Sequence, residues 1–284
     1  MYSFVIEEKS FLCYNTYTRP RLRPDENKVR TKEIIKMRFI EYGKENKDVI
    51  VLLHGGGLSW WNYREVAELL QTDFRVILPI LDGHSGSDSD FTTIEDNADR
   101  IISFIDENFG GSVLLLGGLS LGGQILLEIL SRKSDICRFA IVESALVIPS
   151  KLTHSMIAPA FGSCYGLIKY RWFSKLQFDS YRLKSELFED YYKYTCGISK
   201  ENMISFLQAN ALYSVKPSLS ESEAKAYVFV GEKENGAMRK SARIINESFK
   251  NSELKILPRA YHGQFSINNA PSYVKTILEI TKDT

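Results

Sequence analysis

The sequence predicts an α/β fold: a mostly parallel central sheet with helices on both faces, interrupted by an inserted helical segment. Three observations predict it. Short apolar runs without polar alternation recur between residues 34 and 150 and again after 216, as expected of strands covered on both faces. Amphipathic stretches separate them, and strand–helix alternation builds parallel sheets through right-handed crossovers. From 151 to 215 the rhythm stops, no convincing strand is present, and aromatic residues crowd in.

Taken in order, "IIKMRFIEYG" alternates enough for a strand, and "DVIVLLHGGG" is a short apolar run ending in glycines. "WWNYREVAELLQ" has helical spacing through Trp61, Val66, Leu69 and Leu70; "FRVILPI" is a second buried strand, followed by the turn-rich "LDGHSGSDSD". "TTIEDNADRIISFIDENFG" places Ile94, Ala98, Ile101, Ile102 and Ile105 on one helical face and stops at Gly110. "SVLLLGG" is a strand, "LGGQILLEILSR" a helix with Leu121, Ile125 and Ile129 at four-residue steps, and "RFAIVES" a further strand. Within the insertion, "SKENMISFLQANAL" reads as a helix, with Ser199 as N-cap and Glu201 in its first turn. Beyond Lys216, "KAYVFVG" and "ELKILP" are strands with the helix "GAMRKSARIINESFK" between them, and "APSYVKTILEITK" closes the chain as a helix. The expected organisation is residues 1–33 as an N-terminal arm or extra edge strand, 34–150 as the first part of the core, 151–215 as a helical cap, and 216–284 as the second part of the core.

Composition bounds the function. With 36 Lys+Arg against 35 Asp+Glu the formal charge is +1, which leaves no basic field for nucleic acid or an anionic membrane. A small-molecule substrate is the expected partner, with no nucleic acid and no stable membrane association. Four dispersed cysteines, Cys13, Cys137, Cys164 and Cys196, form no CxxC pair, and free thiols in a reducing compartment are expected. The N-terminus lacks the basic-then-apolar pattern of a secretory signal, and no run approaches a membrane span. Together these point to a cytoplasmic protein. Neither zinc-ligand spacing nor a nucleotide-binding glycine loop is found, so no cofactor and no metal are expected.

The chemistry concentrates at "VLLLGGLSLGGQILLEIL", where one serine, Ser120, stands among Gly117, Gly118, Gly122 and Gly123. "GLSLG" matches G-x-S-x-G between a predicted strand and a predicted helix, the context of a nucleophile elbow. In such an elbow the hydroxyl projects above the sheet edge, and residues two positions either side must be small. The Leu121 N–H, at the start of the following helix, is then free to stabilise an oxyanion. A serine needs a base. His262, in "LPRAYHGQF" between the last strand and the last helix, emerges at the same sheet edge. His54 is expected to hold its own loop, and His84 and His154 carry no catalytic signal. The imidazole in turn needs a carboxylate. The chain order serine, acid, histidine points to "GEKENG", with Glu234 the first candidate and Glu232 and Glu143 as alternatives. The second oxyanion donor falls in "HGGG", with Gly56 ahead of Gly57.

In their order and spacing, "VIVLLHGGG", "LDGHSGSD", "LLLGGLSLGGQ", "VFVGEKE" and "AYHGQF" resemble the α/β-hydrolase superfamily. The similarity is to its single-chain branch with a helical cap, which includes esterases, iminopeptidases and carbon–carbon bond hydrolases. It runs from about residue 36 to 281, apart from the cap. It implies a triad of Ser120, Glu234 and His262 and an oxyanion hole at Gly56 and Leu121. Most relatives have aspartate where Glu234 stands, one methylene shorter. Relatives with an aspartate nucleophile are excluded by Ser120. The implied function is a serine hydrolase cleaving a carboxylic ester of a small, apolar or aromatic substrate through an acyl-enzyme. The same triad also serves N-terminal proline release, thioester cleavage or carbon–carbon bond hydrolysis, and the fold serves non-catalytic ligand receptors as well.

Overall fold

A computed structural model describes residues 37–282; the arm or edge strand expected over residues 1–33 lies outside the described residues. Among the described residues seven strands form one sheet: β1 (Phe39–Tyr42), β2 (Val49–Leu53), β3 (Arg75–Pro79), β4 (Val113–Leu119), β5 (Cys137–Glu143), β6 (Lys225–Gly231) and β7 (Ser252–Leu257). Their spatial order is β1-β3-β2-β4-β5-β6-β7. Only β1 runs antiparallel to its neighbour, pairing Phe39 with Pro79 and Tyr42 with Val76. The sheet is therefore mostly parallel.

Strand burial explains the unalternated apolar runs. Val49, Val51 and Leu53 of β2 enter one core cluster, while Ile50 and Leu52 of the same strand enter another on the opposite face. Successive side chains of a strand point to opposite faces, so a strand covered on both must be apolar throughout. The first face is covered by α2 (Ile94–Phe109), α3 (Leu121–Arg132) and α8 (Gly236–Ser248), the second by α1 (Arg64–Leu70) and α9 (Ala270–Thr281). Local signals set the helix ends. Thr93 caps α2 by accepting from the Asp96 N–H, and Gly110 ends it in the left-handed region at φ 70°. The helix expected over "WWNYREVAELLQ" begins as a 3₁₀ turn at Trp60–Tyr63 before α1 takes over.

Between β5 and β6 lies a helical insertion of α4 (Lys151–Cys164), α5 (Arg171–Ser180), α6 (Phe188–Cys196) and α7 (Lys200–Leu212). Ser199 caps α7 through the Asn202 N–H. Asn202 also fixes α7 to the sheet domain, accepting from the Phe91 N–H at 2.8 Å and donating to Asp90 at 2.9 Å. The chain runs from β2 to β3 on one side and then reaches β4 on the other. This reversal opens a crevice at the carboxyl ends of β2 and β4, the place where parallel sheets bind ligands.

Candidate active site

Ser120 sits at the junction of β4 and α3 with φ 54° and ψ −112°, a conformation that a non-glycine residue adopts only when its surroundings enforce it. Neighbouring backbone supplies that enforcement. The Ser120 N–H donates to the Glu143 carbonyl at 2.8 Å, and the Ser120 carbonyl accepts from the Gln124 N–H at 3.0 Å. A Cβ on Gly118 would lie 2.3 Å from the Gly122 carbonyl oxygen, and one on Gly122 would lie 2.2 Å from the Leu53 carbonyl oxygen. Both contacts are with backbone, so nothing larger than hydrogen fits at either position. The Leu121 N–H opens α3, where the first-turn donors have no intrahelical acceptor.

The loop after β2 is held open by two buried histidines. His54 Nδ1 bonds the Gly55 carbonyl at 2.9 Å and Nε2 accepts from the Leu81 N–H at 3.2 Å. His84 Nδ1 bonds the Asp82 carbonyl at 3.1 Å, and its Nε2 accepts from the Gly57 N–H at 3.1 Å. Burial pushes the His54 imidazole well below its usual range, helped by His84 and opposed by the Gly55 carbonyl. Burial also pushes His84 down to about 4, against the Asp82 and Leu81 backbone bonds that raise it. Each ring is therefore neutral and serves as one donor and one acceptor. With the Gly57 N–H committed to His84, Gly56 is the better placed of the two glycines to present its N–H to a ligand, and it lines the cavity described below. His84, which carries no catalytic signal in the sequence, thus acts as a loop anchor.

His262 and Glu234 meet from consecutive strand ends. Glu234 follows β6 and is succeeded at once by Asn235, which caps α8 through the Met238 N–H at 2.9 Å. The carboxylate is buried and bonded at both oxygens. Oε2 accepts from His262 Nδ1 at 2.8 Å, and Oε1 accepts from the Ser144 hydroxyl and the Gly231 N–H, each at 2.7 Å. Burial pushes the Glu234 carboxyl up, but the His262 bond and charge, the Gly231 N–H and the Ser144 hydroxyl outweigh it. They hold the group below the usual carboxylate range. Ser144 itself has φ 54°. Its strained turn after β5 delivers the hydroxyl to Glu234, and nothing in the sequence marks it.

The alternative carboxylates go elsewhere. Glu232 accepts from the Arg259 N–H at 2.7 Å. Glu143 is buried beneath the His262 loop, its Oε1 accepting from the N–H groups of Phe265 at 3.1 Å and Ser266 at 3.4 Å. Burial drives Glu143 from 4.5 up to about 7, while Ser266 and His262 lower it and Glu234 raises it. Its Oε2 is buried without a hydrogen-bond partner among the described residues. Nearby, burial and the Glu143 charge push the Tyr63 and Tyr273 phenols up. His154 lies on the first helix of the insertion, its carbonyl accepting from Gln208.

Ser120, His262 and Gly56 line one cavity of about 220 Å³. Apolar groups make most of its wall, among them Leu58, Phe161, Met203, Phe206 and Ile267, and no Asp, Glu, Lys or Arg is among the described residues that line it. The insertion supplies part of its wall. Thr195 donates to the Gly57 carbonyl at 3.1 Å, and Phe206 stacks on His84 with ring centroids 4.6 Å apart. His262 Nδ1 is committed to Glu234, so Nε2 is the ring nitrogen that Glu234 does not engage, and His262 and Ser120 line the same cavity.

Comparison with known proteins adds to this geometry. The model of the Alpha/beta hydrolase family matches residues 50–263. Among solved structures, an esterase from Thermogutta terrifontis superposes with a TM-score of 0.71 at 18% identity, covering 87% of this chain and 93% of that one. An enol-lactonase from Burkholderia xenovorans LB400 gives 0.72 at 16% identity, covering 86% and 95%. A bromoperoxidase from Bacillus anthracis gives 0.74 at 14% identity, covering 87% and 95%. At these identities the likeness is one of fold. No curated protein matches the chain in sequence.

Proposed function

Because the chain belongs to the alpha/beta hydrolase family, we propose that it is a serine hydrolase acting on carboxylic esters of small, uncharged, apolar or aromatic substrates. The observation that carries this reading is the 2.8 Å bond from His262 Nδ1 to a buried Glu234, beside a strained Ser120 lining the same cavity as His262. In the proposed reaction His262 Nε2 takes the Ser120 proton as Oγ attacks the ester carbonyl. The Gly56 and Leu121 N–H groups hold the developing oxyanion, and Glu234 stabilises the imidazolium. Collapse transfers the proton to the departing alcohol. Water, deprotonated by the same imidazole, then releases the acid and restores Ser120.

The cavity supports the choice of substrate. A wall without fixed charge offers no counter-ion to a carboxylate or an ammonium group, and an unpaired charge is costly to bury. N-terminal proline release needs the substrate's ammonium to be received, and no carboxylate among the lining residues does so. The volume suits a short acyl or aromatic group. Turnover over a series of nitrophenyl esters of increasing acyl length, with matched amides, thioesters and ω-carboxylated acyl groups, tests this reading. Neutral short-chain esters should give the highest kcat/KM. A preference for the carboxylated or amide substrates would overturn it.

A further inference from the structure

Side chains of the helical insertion divide between the cavity and solvent. Phe161, Gln177 and Tyr181 line the cavity, whereas Leu152, Met156, Leu167, Tyr170, Trp172 and Leu176 stand exposed. The exposure is large, 71% for Leu152, 63% for Trp172 and 65% for Leu176. Leu152 and Met156 are four residues apart on α4, as are Trp172 and Leu176 on α5, so each pair forms a stripe along its helix. Single exposed apolar side chains are ordinary, but a concentration of them marks an interaction surface.

Charge identifies the partner. From Ser144 to Phe178 the chain contains no Asp or Glu, while Lys151, Lys169, Arg171 and Lys175 fall within that stretch. The balanced total of +1 conceals this local excess of cations. Arg171 pairs with Glu189 and Lys175 with Asp179; Lys151 and Lys169 are exposed and join no ion pair among the described residues. Apolar stripes carrying an indole and a phenol, rimmed by lysines, have the composition that settles into the headgroup layer of an anionic bilayer. A second copy is a poorer occupant, because a two-fold contact through this face would oppose its own lysines.

We propose that the exposed sides of α4 and α5 dock reversibly on anionic phospholipid surfaces, with the apolar stripes in the interfacial layer and Lys151 and Lys169 against phosphate. No helix among the described residues is long and apolar enough to cross a membrane, so the contact is peripheral. The same helices wall the cavity, and docking would bring its wall to the lipid surface. The proposal stands on surface composition and is independent of the reaction assigned to Ser120.

Co-sedimentation of the full chain with vesicles of phosphatidylcholine alone, and of equal parts phosphatidylcholine and phosphatidylserine, tests it. Binding is expected to the anionic vesicles only and to weaken with salt. The pair Leu152→Glu and Leu176→Glu, and separately Lys151→Glu with Lys169→Glu, should each weaken it at least about tenfold. Thermal melting and turnover of a soluble ester should stay unchanged, since none of these residues lines the cavity. Failure of the wild type to sediment with anionic vesicles, equal binding to both vesicle types, or variants that bind like the wild type would overturn it. So would a dimer in sedimentation velocity that the leucine variants dissociate, which would assign the face to a second copy instead.

Discussion

Two buried glutamates lie close to the His262 loop, and their surroundings give them opposite character. Glu234 is bonded by a histidine, a hydroxyl and a backbone N–H, so it is held as the anion. Glu143 accepts from the Phe265 and Ser266 N–H groups beside the Tyr63 and Tyr273 phenols, and burial keeps its proton on up to about pH 7. Replacing Glu234 with Gln should lower kcat on a neutral ester by about 10³–10⁴-fold, as loss of the orienting carboxylate does elsewhere. The Glu143→Gln variant preserves a neutral side chain of the same shape and should retain turnover. Stability against pH separates the two further. Between about 4.5 and about 7 the folded state holds the Glu143 proton and the unfolded chain does not, so stability falls as pH rises through that window, by a few kcal/mol at most. Urea unfolding of Glu143→Gln should show that slope removed. Glu234 runs the other way: its stabilisation is present above the usual carboxylate range and is lost as pH falls through its lowered folded value. The sequence puts Glu234 first but leaves Glu143 and Glu232 as alternatives, because chain order and strand ends do not fix which carboxylate turns inward. Ser144 is illegible for the same reason, since its role depends on a turn that brings it to a residue 90 positions away.

At the scale of the element, the elbow is the most legible feature because its constraint is local. Gly118 and Gly122 lie two positions either side of Ser120, and the clashes that exclude a side chain involve backbone. Alanine at either position should cost about 3 kcal/mol or more in unfolding free energy, measured by denaturant titration, because backbone must move to admit it. The loop after β2 is only half legible. "HGGG" announces a close backbone approach, but the His84 anchor comes from a turn 27 residues on. A His84→Leu substitution releases the Gly57 N–H and should loosen Gly56, lowering kcat by about 10²-fold or more with a smaller change in KM. Strands β2 to β6 are readable for a further physical reason. Their unalternated apolar runs reflect burial on both faces, whereas α5 and α6 are short, half-exposed helices whose pattern follows the insertion's own packing.

For the whole molecule, the sheet brings distant segments to one edge. Residues 54–57, 120, 234 and 262 are far apart in sequence, yet the parallel strand order places all their loops at the carboxyl ends of the strands. The insertion contributes to the cavity wall, and its contacts with the core include the Thr195 and Asn202 bonds as well as the Trp60–Tyr194 bond and the Arg64–Asp190 and Lys184–Glu65 ion pairs. Asn202→Ala leaves the Phe91 N–H without its acceptor and should cost about 1–3 kcal/mol in thermal or chemical unfolding. Because α7 supplies Met203 and Phe206 to the cavity wall, kcat/KM should fall several-fold in the same variant. The shape of this wall lies beyond the sequence, which shows a stretch rich in aromatics without showing which of them turn toward Ser120.

The central claim is that Ser120 is a nucleophile activated by His262 and Glu234. Intact-mass measurement after treatment with a fluorophosphonate tests it most directly. A single adduct that maps to Ser120, disappears in Ser120→Ala and forms far more slowly in Glu234→Gln is expected. An unmodified wild type, or an adduct that persists in Ser120→Ala, would contradict it.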